Sequence, residues 1–123
     1  MKKLIDECSY AMMNEMVRAQ KNKGEFFTSR HQASACIREE LEETEDEIRS
    51  TREMFEVYWS KVKKDNFETV KDLEFIRIGA IHAAAEAIQL AGTAQKAINS
   101  LTTDPEKSNA ILLKTCCIDE RNQ

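Results

Sequence analysis

Apolar residues recur at three- and four-residue steps along most of this chain, the spacing that places them on one face of a helix. Leu4, Ile5, Cys8, Met12 and Met16 predict a first helix from about Lys2 to Lys21, which Gly24 in KNKGEFF ends before an apolar connection through Phe26 and Phe27. Ser29 followed by Gln32 fits a capping box, in which hydroxyl and amide satisfy orphan backbone donors at a helix start. No Gly or Pro follows until past Asn66, so a second helix of about 35 residues is expected, straight or bent near Ser50 and Thr51. Its apolar positions Ala33, Ile37, Leu41, Ile48, Phe55, Tyr58, Trp59 and Val62 fall within about 100° of one another. Asp65 with Glu68 suggests the opening of a third helix that reaches about Ser100, with Ile76, Ala80, Ala83, Ala87, Leu90, Ala94, Ile98 and Leu101 inside. Small residues allow close approach of another helix, which makes the third helix the expected centre of the packing. Asp104 and Pro105 open a last short helix through Ile111, Leu112 and Leu113 to the adjacent cysteines, and the tail DERNQ is expected to fray.

These elements predict one all-α domain over residues 1–123, an antiparallel bundle of long helices. Residues 1–24 form an N-terminal helix, 26–101 the core and 104–118 the short C-terminal helix. A 35-residue helix is about 50 Å long, more than a compact monomer of this size needs. Such helices bury their excess length against another copy, so a homodimer or homotetramer is expected.

Composition narrows the classes further. A third of the residues are charged, with only three Gly and one Pro among 123, which leaves little turn chemistry and favours helix. The formal charge is −4 and the basic residues are scattered, unlike the footprint of a duplex-binding protein, so nucleic acid is not an expected partner. No apolar stretch approaches the roughly 20 residues of a membrane span, and the acids in MKKLIDECSYAMMNEM do not suit a signal peptide. No membrane association and a cytoplasmic location are expected. Cys8, Cys36, Cys116 and Cys117 form no C-x-x-C pair and read as reduced thiols.

The stretch IREELEETEDEIR, residues 37 to 49, carries seven carboxylates in thirteen positions. With the Ile37 and Leu41 side turned to the core, Glu42 and Glu45 point to solvent. Glu40, Glu43 and Glu47 follow the edge of the apolar stripe, and Glu39 lies one step further round. Carboxylates at i, i+3 and i+4 can supply the oxygen ligands of a hard cation such as Mg²⁺. Their ordinary role is a solvated face paired with arginines such as Arg49 and Arg52. On the third helix Glu86, His82, Gln89 and Thr93 share one flank of the alanine-rich face, with Lys96 just beyond. Facing flanks would form an acidic pocket with polar groups on its other wall. His31, in the first turn of its helix, reads as a surface or capping residue, and Tyr58 and Trp59 as core or subunit interface.

FFTSRHQASACIREELEETEDEI together with AAAEAIQLAGTAQKAI resembles the MazG-like branch of the all-α nucleoside triphosphate pyrophosphohydrolases, particularly short versions common in phages and prophages. The resemblance covers roughly residues 26 to 101. Its first motif, E-E-x-x-E, is matched by Glu39, Glu40 and Glu43; its second, E-x-x-D, meets Glu86 and Gln89 in EAIQ. What it implies is a MazG-like bundle completed by oligomerisation, and an enzyme that cleaves a nucleoside triphosphate or related nucleotide to monophosphate and pyrophosphate. It implies Mg²⁺ or Mn²⁺ as cofactor, on Glu39, Glu40, Glu43 and Glu86. A general base would come from Glu40 or Glu43, and Lys96, His82 and Gln89 would contact the nucleotide. Gln89 is neutral where the family has an aspartate, which leaves open a protein that binds and sequesters a nucleotide signal without turning it over. A helical interaction protein, phage-encoded and aimed at a host protein, is the remaining reading.

Overall fold

The computed structural model describes residues 1–102, apart from the side chains of residues 22 and 23. Over this span the chain is all-helical: α1 (Lys2–Lys23), α2 (Arg30–Lys63) and α3 (Val70–Leu101), with no strand among the described residues. The expected helix over 104–118, with Cys116 and Cys117, lies outside them.

The chain forms two compact units, one made of Met1–Arg38 and the chain from Ile88 onward, the other of Glu39–Ala87. In the first unit α1 ends at Gly24, whose φ of 82° lies in the left-handed region open to glycine, and whose N–H donates to the Gln20 carbonyl. Ser29 caps α2 by accepting the N–H of Gln32 at 3.1 Å. The return bond of the box goes one residue further back: Gln32 Oε1 accepts from the N–H and the hydroxyl of Thr28. Met12 and Ala33 are the buried apolar side chains, and Met12 lies beside Gly92, where an added Cβ would sit 3.4 Å from Met16 Cγ. The connection is held by the Phe27 N–H donating to Ser100 Oγ at 2.8 Å, and by the Lys96 ammonium 4.4 Å from the Phe27 ring centroid.

The second unit is an antiparallel helical hairpin. α2 ends in a Schellman motif: the Asn66 N–H donates to the Lys61 carbonyl, the Asp65 N–H to that of Val62, and Asp65 takes a left-handed φ of 55°. Asp65 therefore closes α2 instead of opening α3, which starts four residues later than a cap at Asp65 would place it, with the Leu73 N–H bonded to the Thr69 carbonyl. Asn66 Oδ1 accepts from the Glu68 N–H, so that segment is a turn. The Lys61 ammonium lies 2.7 Å from Oδ2 of the buried Asp72 and donates to the Glu68 carbonyl, tying both helices to the turn. Midway along the hairpin Gly79 lies against the Thr51 side chain, where an added Cβ would overlap Thr51 Oγ1 and lie 3.3 Å from Thr51 Cβ.

The seam of this hairpin mixes polar and apolar side chains, which corrects part of the expected packing: Tyr58, Ile76 and Ala83 of the expected stripes are partly buried there, as is Met54. Thr44 and Asp72 are buried, Glu40, Glu47, Thr51 and Glu86 partly buried, and no apolar side chain of the unit is fully buried. Leu41, Ile48, Phe55 and Trp59 of the expected core stripe remain exposed, as do Ala80 and Ala87 of α3. The reason is rotational. Each follows a seam residue directly in sequence (Glu40, Glu47, Met54, Tyr58, Gly79, Glu86) and so lies about 100° further round its helix.

Candidate functional site

Glu40 and Glu43 on α2 and Glu86 on α3 converge inside the hairpin, one carboxylate oxygen of each lying within 4.8 Å of the others. Two features of the chain bring them there. The i, i+3 spacing sets Glu40 and Glu43 on one side of α2, and the close approach at Gly79 draws α3 near enough for Glu86 to reach them. Thr44, next to Glu43 and one turn after Glu40, is buried in the seam, and its hydroxyl donates to the Glu40 carbonyl at 2.8 Å.

The electrostatics of the cluster are those of like charges held together. Burial, followed by the neighbouring Glu43 carboxyl, raises the pKa of Glu86 above the ordinary glutamate value; Glu47 adds to the shift and His82 opposes it. Glu86 Oε2 is closed to solvent and meets no N–H donor among the described residues, and the Glu43 carboxyl is the group within hydrogen-bonding reach of Glu86. Arg49 and Arg52, the cations that would make this an ordinary solvated face, pair instead with Asp46 at 2.8 Å and Glu56 at 3.5 Å.

The donor set fits a hard divalent cation. All three groups offer carboxylate oxygens, and one of these oxygens is shielded from water. Oxygens bound to one Mg²⁺ lie at most about 4.2 Å apart. A small side-chain movement of the exposed Glu43 would close that difference.

Not every residue expected at the site reaches the cluster. Glu39 is exposed and stands outside the triad, because its place before Glu40 turns it about 100° away. Glu42 and Glu45 are exposed as expected, and so is His31. His82 lies one turn before Glu86 and acts on its charge. Gln89 and Lys96 belong to the other unit, where the Gln89 carbonyl accepts from the Thr93 hydroxyl and the Lys96 ammonium rests on Phe27. Glu47 was absent from the expected ligand set, yet it acts on Glu86; its i+4 spacing from Glu43 was the available signal. Cys8 and Cys36 are free thiols. No helix among the described residues is long and apolar enough to cross a membrane.

Comparison with protein-family models, curated proteins and solved structures found no match.

Proposed function

We propose that the protein is a divalent-cation-dependent nucleotide pyrophosphohydrolase of the MazG-like kind, acting as a homo-oligomer in the cytoplasm. The observation that carries this reading is the convergence of Glu40, Glu43 and Glu86, which stand at the positions of the two family motifs and come from two antiparallel helices. A surface acid run would give no reason for Glu86, in the otherwise apolar AAAEAIQLA, to meet the acids of α2.

In this reading the reaction splits a nucleoside triphosphate or related nucleotide into monophosphate and pyrophosphate by attack of water in line with the leaving group, with no covalent enzyme intermediate. Mg²⁺ or Mn²⁺ supplies the charge that offsets the phosphates. Glu40 and Glu86, partly buried, are held by the hairpin seam and keep the ligand oxygens in place. Glu43 is the exposed member, and it is the carboxylate that solvent water reaches and that takes the proton.

The test is pyrophosphate release from a panel of nucleoside triphosphates with Mg²⁺ or Mn²⁺. Release that Glu40→Gln and Glu43→Gln each lower by at least about a hundredfold supports the reading. Absence of release across the panel refutes hydrolysis. Gln89, neutral in the second motif, favours one alternative: a protein that holds a nucleotide without cleaving it. A nucleotide-dependent rise in melting temperature without product is its signature.

A further inference from the structure

The two sides of the hairpin Glu39–Ala87 differ in charge. In antiparallel helices, residues that directly precede a seam residue on either helix lie on one side of the pair, and residues that directly follow one lie on the other. On the first side α2 presents Glu39, Glu43, Asp46 and Glu53, all exposed. Beside them α3 presents Phe75, Ile78, His82 and Ala85, also exposed, and Lys71 closes this side near the turn. The second side carries one carboxylate, Glu45, and two guanidiniums, Arg52 and Arg77, among Leu41, Ile48 and the alanines of α3. Exposed apolar side chains therefore occur on both sides, but the first sets them next to a row of acids.

On that side the acids and the apolar residues form two parallel columns. Glu39 to Glu53 runs about 21 Å along α2, and Ala85 to Phe75 runs beside it for about 15 Å along α3. Phe75 is 54% and Ile78 43% exposed, and Val57 of α2 extends the apolar column toward the turn. Of the acids, Asp46 pairs with Arg49. One column calls for cations and the other for apolar surface. A helix with lysines or arginines along one side and large apolar residues along the other supplies both. We infer that this face receives a basic amphipathic helix of another protein. Charge complementarity selects that occupant over a second copy of the chain. The hairpin holds fourteen carboxylates against seven lysines and arginines, whereas the rest of the chain holds eight against eleven. A two-fold contact of this face with itself would set acid against acid, while a cationic partner is steered toward the hairpin by its field. Glu43 belongs to the face, so the bound helix stands over the exposed member of the carboxylate cluster. The inference does not depend on the hydrolase reading, and it is tested without nucleotide or divalent cation.

The probe is a synthetic helix of about five turns, with leucine along one side and lysine along the other, labelled with fluorescein. Titrated with the full chain at physiological ionic strength, it should bind with a Kd on the order of 1–10 µM by fluorescence anisotropy. The same peptide with glutamate for lysine should not bind. Glu53→Lys and Asp46→Lys should each weaken binding by about tenfold, and Phe75→Ser with Ile78→Ser by at least as much. Glu45→Lys and Ile48→Ser, on the second side, should leave Kd within about threefold. Absence of binding, equal losses from the two sides, or binding indifferent to Phe75 and Ile78 overturns the inference. If a variant loses helicity by circular dichroism, the wild-type chain decides: added peptide must shift the methyl resonances of Ile78 more than those of Ile48, and equal or reversed shifts refute the docking face. A chain that binds no peptide and sediments as a dimer broken by Ile78→Ser would assign the face to a second copy instead.

Discussion

The close contact of α3 with α2 at Gly79 can be tested by adding one methyl group. Gly79→Ala places a Cβ that overlaps Thr51 Oγ1 and lies 3.3 Å from Thr51 Cβ. Helix propensity alone favours the change by about 1 kcal/mol, because glycine costs the most backbone entropy in a helix interior. Against this stands the crowding, which in a packed seam costs about 1–3 kcal/mol. Thr51 cannot turn its hydroxyl away freely, since that would break its 2.8 Å bond to the Glu47 carbonyl, at a further cost of about 1 kcal/mol. The balance predicts a net loss of about 1–3 kcal/mol despite the better helix former. Removing the obstacle should recover it: in a Thr51→Ala background, Gly79→Ala should cost little or become favourable, with a coupling of at least about 1 kcal/mol between the two sites. Urea titrations followed by far-ultraviolet circular dichroism on the four proteins measure this, at one fixed protein concentration because association shifts apparent stability. Gly79→Ala stabilising the otherwise unchanged chain, or additive effects of the two substitutions, would refute the close approach and with it the position of Glu86.

Two further outcomes follow from charges in the same unit. Lys61→Met leaves the buried Asp72 carboxylate without its 2.7 Å ion pair and should cost about 2–4 kcal/mol, below the range for wholly buried pairs because the Lys61 side chain is 33% exposed. Lys61→Met with Asp72→Leu should recover most of that, and urea titration showing the double variant no better than the single would refute the pairing. Glu86 holds its proton more tightly in the folded chain than in the unfolded one. Its contribution to stability is therefore complete below the ordinary glutamate value and is lost as pH rises through the raised one. Glu86→Gln should then flatten the decline in melting temperature with rising pH in cation-free buffer; parallel curves for variant and wild type would show that the cluster does not strain the fold.

The limits of what the sequence makes legible lie at particular residues. Ser29 marks the start of α2 because a capping hydroxyl acts within one turn, and the geometry there is local. Asp65 misleads because the same acid can cap a start or close an end. Only the left-handed φ and the bonds from Asp65 and Asn66 back to Val62 and Lys61 separate the two, and spacing does not encode them. The pairing of Glu40 and Glu43 with Glu86 across more than forty residues is suggested by a resemblance, not by periodicity, since nothing local in AAAEAIQLA says which face of α3 meets α2. The apolar stripe misleads in another way. Periodicity records every surface a helix buries, against its own chain or another, and does not say which. Leu41, Ile48 and Phe55 are at core spacing and yet exposed, because Thr44 and Thr51, a short step round the same helix, occupy the intramolecular seam. Polar residues at a seam and apolar ones beside it make a poor core for a single hairpin. The polar part of the seam becomes intelligible when it is seen to bring Glu40, Glu43 and Glu86 together.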